Sequence, residues 1–155
     1  KDIPEAKGTL EFVGLNYYTH VLVGPASVSL LKMKFPKRRQ EVATEFGYPM
    51  YAEGLRRAIE FLAPLNVPIE ITENGVADAE DTLRTEHLRR HLWVLSNAVK
   101  DGHDVRSYHH WSLMDNVEWA EGYSMRFGLH RVDFENQERT LRPSGEVYKA
   151  IVGRR

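Results

Sequence analysis

The run from Ile69 to Gly75, with the sequence IEITENG, limits most strongly what this chain can fold into. Its apolar residues predict a buried strand over 69–72, which leaves Glu73 at the C-terminal tip of the strand and lets Asn74 and Gly75 turn the chain away. In a (β/α) barrel, catalytic side chains lie at that end of the strands. A lone glutamate at a strand end is more commonly a solvated turn residue, so the remaining sequence has to decide between the two.

A predicted strand is followed by a helical pattern three times in succession. The strands are expected over residues 10–18, 69–73 and 105–112, and such a series indicates parallel strands joined by right-handed crossovers. Each cluster of polar and aromatic residues follows a strand, as expected for function at the C-terminal face of a barrel. A complete barrel needs eight strands and about 250 residues, whereas this chain has 155 residues. It is therefore either a small open-sheet domain or part of a larger barrel.

Apolar spacing predicts the helices. The first is expected within 51–64 and the second from an N-cap at Thr85 to a C-cap at Gly102, and a hairpin over 127–134 and 139–141 leads to a last helix from Pro143. Their predicted inner faces are Leu55, Ala58, Ile59 and Leu62 in the first helix, Leu88, Leu92, Leu95 and Val99 in the second, and Val147, Tyr148 and Ile151 in the last.

Composition argues against several classes of function. Lys plus Arg is 21 and Asp plus Glu is 22, so nucleic acid is not the expected partner, and the basic residues from Lys32 to Arg39 are expected in a solvated loop. The chain has no cysteine and its seven histidines show no metal-binding spacing, so no metal site is predicted. No apolar run approaches the roughly 20 residues of a membrane span, so no membrane partner is predicted. A cytoplasmic location is favoured, although the sequence does not decide the compartment.

Several polar residues are expected to have no direct part in a site. The expected positions are a turn for Asn74, a solvated loop for Asp78, Glu80 and Asp81, helix surfaces or turns for His87, His91 and His103, and packed or supporting positions for His20, His109 and His110.

Three motifs resemble those of glycoside hydrolase family 1, the β-glucosidase and β-galactosidase family. Residues 12–19, FVGLNYYT, are similar to the motif on the family's sixth strand, and residues 71–75, ITENG, to the nucleophile motif on its seventh. Residues 111–123, WSLMDNVEWAEGY, resemble its eighth-strand sugar-binding loop, and residues 126–144 resemble the family's end. The motifs occur in the family's order, and the resemblance covers nearly the whole chain.

The resemblance implies an α/β fold, namely the last three strand–helix units of a partial TIM (β/α)8 barrel. Residues 1–155 would then be a single C-terminal segment of a glycosidase barrel rather than a complete domain. The family's acid/base motif, Asn-Glu-Pro on the fourth strand, occurs nowhere in the chain. We therefore expect the chain alone to be inactive and to need the missing N-terminal part of the barrel, or another chain, as partner.

The resemblance also assigns catalytic roles. Glu73 corresponds to the nucleophile, and Tyr18 to the tyrosine that orients it through its hydroxyl. A carboxylate that attacks an anomeric carbon has to be ionised and aimed. Retaining glycosidases pair it with a second carboxyl group about 5–5.5 Å away.

Four residues are implied to bind substrate. Glu118 accepts hydrogen bonds from the sugar hydroxyls, Trp119 also hydrogen-bonds the sugar, and Trp111 forms the platform under the ring. Asn16 either lines the site or only caps its strand.

These residues predict the C-terminal part of a retaining β-glycosidase, similar to β-glucosidases, which hydrolyses terminal β-D-glycosides through a covalent glycosyl-enzyme without a cofactor. Glu118 would repel phosphate, so unphosphorylated sugars are favoured; glucose, galactose and mannose are not distinguished. The alternative is a non-catalytic split-barrel or pseudo-enzyme piece that acts through interaction with another chain. A stand-alone α/β domain is also open, although it would expose strand edges that pair with other chains.

Overall fold

The computed structural model describes residues 8–21 and 42–153, and the structural statements below concern those ranges. Strands β1 (Val13–Asn16), β2 (Ile69–Asn74) and β3 (Val105–His110) form a parallel sheet in the order β1-β2-β3. All three predicted strands are therefore present, each within one residue of its predicted range or shorter. The basic run expected in a solvated loop lies outside the described residues.

Short 3₁₀ helices lie at Ala63–Leu65 and Trp119–Glu121, and three α-helices and an antiparallel strand pair complete the described elements. They are α1 (Glu53–Leu62), α2 (Arg84–Lys100), β4 (His130–Val132), β5 (Arg139–Leu141) and α3 (Pro143–Val152). The predicted hairpin and the start of the last helix are confirmed. In the described part of the chain, no helix combines the length and the apolar character needed to cross a membrane.

The core lies between β2 and the helices α1 and α2. Ile69 and Ile71 of β2 are 2% and 0% exposed, and they pack in one cluster with Leu55 and Ile59 of α1. The apolar spacing thus predicted the inner face of α1, because burial against a sheet selects a stripe of residues three or four apart. The C-cap of α2 is Asp101 rather than the predicted Gly102, which follows it with φ +97°, the left-handed conformation that glycine commonly adopts just past a helix end.

The start of α2 differs from the prediction. The helix begins at Arg84 rather than after an N-cap at Thr85, and the carboxylate of Asp78 accepts the backbone N–H groups of Leu83 and Arg84 at 2.8 and 2.9 Å. The expected solvated position for Asp78 is wrong, since it is 2% exposed. Free N–H groups at a helix start favour a carboxylate there, and these hydrogen bonds offset the cost of burying it.

The expected solvated position for Asp81 is wrong as well. Its carboxylate accepts the backbone N–H of Ser144 at 2.8 Å and pairs with the Arg84 guanidinium. Asp81 therefore joins the starts of α2 and α3. Glu80, in contrast, is exposed as predicted.

The buried face of α2 also differs. His87 and His91 are 1% and 0% exposed, with their rings stacked 3.9 Å apart, whereas Val99 is 47% exposed. The expected surface positions of the two histidines are thus wrong. Their spacing of four residues places both on one helix face, and that face points towards the sheet. In α3, Ile151 is 38% exposed, so it does not belong to an inner face as predicted.

Candidate active site

The site is assembled where the three parallel strands end. The backbone N–H of Tyr17, just after β1, donates to the Glu73 carbonyl oxygen at 2.9 Å. The N–H of Trp111, just after β3, donates to the Asn74 carbonyl oxygen, also at 2.9 Å. Because parallel strands end at the same edge, side chains from three distant segments meet there.

Tyr18 and Glu73, two of the predicted site residues, are in direct contact. The Tyr18 hydroxyl donates to Oε2 of Glu73 at 2.8 Å. Burial, reinforced by this hydrogen bond and by the charge of Glu73, raises the pKa of Tyr18 above its ordinary value. The hydroxyl therefore keeps its proton and remains a donor to the carboxylate.

An irregularity in β2 determines where Glu73 points. Ile71 pairs with Leu15, whereas Glu73 pairs with Asn16, the next residue of β1. On the other side, Ile71 and Asn74 pair with residues only two apart in β3. From Ile71 to its C-terminal end, the middle strand thus contains one extra residue relative to both neighbours, although β3 has the extra residue opposite Ile69 and Glu70. This is the geometry of a β-bulge, and bulges re-aim side chains beside active sites. Glu73 consequently leaves the helix-facing side on which Ile71 is buried.

Glu118 lies close enough to Tyr18 and Tyr48 for its charge to act on both. Burial is the larger cause of the raised pKa of Tyr48, and the charge of the Glu118 carboxylate is the second. The same charge contributes to the raised pKa of Tyr18. Its backbone N–H donates to the Gly122 carbonyl oxygen at 2.7 Å, which closes a tight loop. The structure therefore brings Glu118 into the electrostatic range of the Tyr18–Glu73 pair.

The two predicted tryptophans have different surroundings. Trp119 is 89% exposed, so its indole is not a core residue and is open to a ligand. Trp111 is half-buried at the end of β3. A Cβ atom on Gly75 would lie 1.8 Å from the Trp111 carbonyl oxygen, so only glycine allows the chain that follows Glu73 to pass so close to Trp111.

Asn16 is exposed at the end of β1, and its Oδ1 accepts the Thr72 hydroxyl at 2.6 Å. Its carbonyl oxygen thus joins β1 to β2. Its amide nitrogen has donors that a ligand can use. This arrangement is compatible with both roles predicted for Asn16.

Sequence reasoning missed an aromatic group beside Tyr18. The rings of Tyr48 and Phe127 lie 6.4 and 6.2 Å from that of Tyr18, and Phe46 lies 5.4 Å from Tyr48. These rings exclude water from one flank of Tyr18, which explains why burial is the largest cause of its raised pKa. The aromatic content of residues 46–51 was the available signal.

Asp115 was missed as well. Its fully buried carboxylate accepts the backbone N–H of Gly128 at 2.9 Å and pairs with Arg142 at 3.0 Å. These contacts hold the loop that carries Glu118 against the chain before α3. An aspartate three residues before Glu118 in a polar loop has no sequence signal that separates it from a solvated one.

Asn74 does not occupy the turn position that was predicted. It is 0% exposed, its Nδ2 donates to the Tyr17 carbonyl oxygen at 2.7 Å, and its Oδ1 accepts the Tyr108 hydroxyl at 2.8 Å. Its amide is therefore a buried link between strands. Two histidines behave differently. The His20 ring packs at a tilt against Tyr51, with the ring centres 4.1 Å apart, as expected for a packed residue. His109 is exposed, so the packed position expected for it is wrong.

Comparison with known proteins identifies relatives over the whole chain. The family model described as Glycosyl hydrolase family 1 matches residues 1–155. The chain is 38% identical to a β-galactosidase from Saccharolobus solfataricus, with 95% of the chain and 32% of that protein covered. It is also 38% identical to a β-glucosidase from an Agrobacterium species, with 92% and 34% covered. The chain thus spans about a third of the length of these relatives.

Solved structures share the fold. A β-glucosidase from Pyrococcus furiosus superposes with a TM-score of 0.85 at 43% identity, over 95% of this chain and 33% of that one. A β-glucosidase from Thermotoga maritima, in complex with noeuromycin, has a TM-score of 0.84 at 35% identity, over 96% and 36%. These neighbours are TIM-barrel glycosidases, and about a third of such a barrel corresponds to this chain. Since the family model covers the chain from its first residue to its last, the chain belongs to Glycosyl hydrolase family 1.

Proposed function

We propose that residues 1–155 form the last three strand–helix units of the (β/α)8 barrel of a retaining β-glycosidase, as one C-terminal segment rather than a complete domain. The proposed enzyme is of the β-glucosidase type and hydrolyses terminal β-D-glycosides. Support comes from the family model, from the parallel order β1-β2-β3 and from the share of each neighbouring barrel that the chain covers.

The observation that carries the proposal is the hydrogen bond from the Tyr18 hydroxyl to Oε2 of Glu73 at the C-terminal ends of neighbouring parallel strands. Tyr18 holds one carboxylate oxygen, and Oε1 of Glu73 attacks the anomeric carbon as the bond to the leaving group breaks. The product of this step is a covalent glycosyl-enzyme, which water then hydrolyses. A donor that holds Oε2 in place limits the directions from which Oε1 can attack.

The sugar is bound between the loop after β3 and the ends of β1 and β2. Glu118 accepts hydrogen bonds from two sugar hydroxyls, and Trp119 offers its exposed indole beside it. Trp111 forms the platform under the ring, and Asn16 donates from its amide nitrogen. The Glu118 carboxylate would repel a phosphoryl group, which favours unphosphorylated glycosides.

The proton for the leaving group has to come from outside this chain. A retaining mechanism needs a second carboxyl group about 5–5.5 Å from the nucleophile, and the sequence contains no Asn-Glu-Pro segment to supply it. The chain therefore acts together with the strands that complete the barrel, in the same polypeptide or in a second chain.

Covalent trapping tests this function. The enzyme assembled from this chain and the strands that complete the barrel is incubated with 2,4-dinitrophenyl 2-deoxy-2-fluoro-β-glucoside, digested and examined by mass spectrometry. One fluoroglucosyl group on the peptide that contains Glu73 is expected. A label on a different carboxylate would overturn the assignment of Glu73. No label in a folded, assembled barrel would favour the non-catalytic alternative.

A further inference from the structure

Asn74 links the middle strand of the sheet to both of its neighbours. It directly follows Glu73, and its side chain is 0% exposed. Its Nδ2 donates to the carbonyl oxygen of Tyr17 just after β1, at 2.7 Å, and its Oδ1 accepts the hydroxyl of Tyr108 in β3, at 2.8 Å. One amide therefore spans the ends of three strands.

The backbone around Asn74 strengthens this link. The Tyr17 N–H donates to the Glu73 carbonyl oxygen at 2.9 Å. The backbone N–H and the carbonyl oxygen of Tyr17 are therefore both hydrogen-bonded to β2, the first to Glu73 and the second to Asn74. Tyr18 is the next residue after Tyr17. The position of its hydroxyl relative to the Glu73 carboxylate therefore depends on where these bonds hold Tyr17.

The bulge in β2 explains why a side chain is needed at this point. An extra residue interrupts the regular ladder of backbone hydrogen bonds between strands, and the interruption lies between Ile71 and Asn74. The Asn74 amide supplies a donor to one neighbour and an acceptor to the other. An ionised aspartate could only accept, and a leucine could do neither.

We infer that Asn74 is the positioning residue of the nucleophile, because it bonds the ends of β1, β2 and β3 together and so fixes the Glu73 carboxylate against Tyr18. This inference rests on the proposed function of Glu73. Asn74 itself is buried and does not touch the sugar. A displacement of about 1 Å in a reacting group costs on the order of 100-fold in rate, which sets the size of the expected effect.

The test uses the assembled enzyme and three variants. Asn74→Ala removes both side-chain bonds, Tyr108→Phe removes only the hydroxyl that donates to Asn74, and Ile59→Val shortens a buried apolar side chain of the core without removing a hydrogen bond. Each is assayed at a temperature at which circular dichroism shows that it is folded. The readouts are kcat, KM and the rate at which the fluoroglucoside labels Glu73.

The expected result is a selective loss in the chemical step. Asn74→Ala should slow both labelling and kcat by on the order of 100-fold with KM changed by less than about threefold. Tyr108→Phe should slow them less, because the bond to Tyr17 remains, and Ile59→Val should leave both at the parental values. A residue that only stabilises the fold would behave like Ile59→Val.

Each outcome separates this inference from the proposed function. If the parent enzyme is labelled at Glu73 and Asn74→Ala is labelled at the parental rate, the inference is overturned and the function stands. If the parent is not labelled at Glu73, the proposed function fails, and the inference fails with it. If Asn74→Ala does not fold, Tyr108→Phe decides: slower labelling with an unchanged KM supports the inference, and parental values overturn it.

Discussion

The hydroxyl of Tyr18 donates to Oε2 of Glu73 at 2.8 Å across 55 positions of sequence. The contact exists because β1 and β2 are parallel neighbours, so that Tyr18 and Glu73 leave the sheet at the same edge. It places a protonated donor against a carboxylate beside the buried rings of Tyr48 and Phe127.

Replacing Glu73 by glutamine should abolish hydrolysis of an aryl β-glucoside by several orders of magnitude in the assembled enzyme. The substitution keeps the shape and removes the charge that a nucleophile needs. Steady-state kinetics measures the loss, and azide should restore turnover with an α-glycosyl azide as product. Activity within tenfold of the parent would show that Glu73 is not the nucleophile.

Tyr18→Phe should lower kcat/KM by roughly 10- to 100-fold, because a hydrogen bond to a charged group contributes about 1.5–3 kcal/mol. Steady-state kinetics with an aryl β-glucoside measures the loss. Tyr51→Phe serves as the control, since the Tyr51 contact with Tyr17 uses its backbone oxygen. A kcat/KM within threefold of the parent in Tyr18→Phe would contradict the proposed role of the hydroxyl.

Glu118→Ala should lower kcat/KM for natural glycosides by roughly 100-fold or more, because hydrogen bonds to the sugar strengthen in the transition state. A 4,6-dideoxy substrate lacks the hydroxyls that Glu118 is proposed to bind and should lose little on mutation. Glu121→Ala, an exposed carboxylate in the same loop, is the matched control. Equal losses with both substrates would refute the assigned contact.

The stability of the fold should fall with acid through the histidines of α2 and β3. Burial lowers the pKa of His91 to about 4 and that of His110 to about 3, and it lowers the pKa of His87 with help from the charges of His91, His110 and Arg84. The ordinary histidine pKa is about 6.5. At pH values between about 6.5 and the lowered pKa values of the buried histidines, the unfolded chain binds more protons than the folded one. The contribution of the neutral histidines to the free energy of unfolding is therefore fully present above about pH 6.5 and is lost as the pH falls below it.

Urea unfolding of the assembled enzyme at pH 7 and pH 5 measures this loss, which should amount to a few kcal/mol. His87→Phe keeps a buried ring without a titrating group and should show a smaller difference between the two pH values. Glu53, whose charge acts on His91 in the opposite direction, is unchanged in that variant. A pH dependence equal to that of the parent would contradict the prediction.

The purified 155-residue chain should not hydrolyse glycosides at an enzymatic rate. The nucleophile is present, but the Asn-Glu-Pro segment that would protonate the leaving group is not. Mixing the chain with the strands that complete the barrel should restore turnover if the two assemble. Turnover by the chain alone, with the other strands excluded by mass spectrometry, would disprove this.

The periodicity of apolar residues was sufficient to predict the buried face of an element wherever that face is made of apolar residues. Leu55 and Ile59 revealed the inner face of α1, and Ile69 and Ile71 revealed β2, because a chain that folds against a sheet buries apolar side chains at the period of the element. The same rule succeeded only in part in α2, where Leu88 is buried as predicted and Val99 is exposed. There His87, His91 and Arg84 form much of the buried face, and polar residues give no indication of burial until their partners are known.

The residues around the predicted site show the same division. Asn74 and Asp115 are short polar residues in segments that resemble a turn and a loop, and each is buried by hydrogen bonds to groups at least 13 residues away in sequence. A local window contains none of those partners. The two residues could therefore not be distinguished from solvated ones.

Residue order alone was enough to establish the succession of strands and helices and the motifs that contain Tyr18, Glu73 and Glu118, since spacing and residue type are local properties. Residue order alone did not establish the direction in which the Glu73 side chain points. Strict alternation from Ile69 and Ile71 would put Glu73 on the face that packs against the helices, and the extra residue in β2 relative to β1 and β3 turns it towards Tyr18 instead. Strand register is a pairing between segments distant in sequence, so it exists only once the three strands have come together.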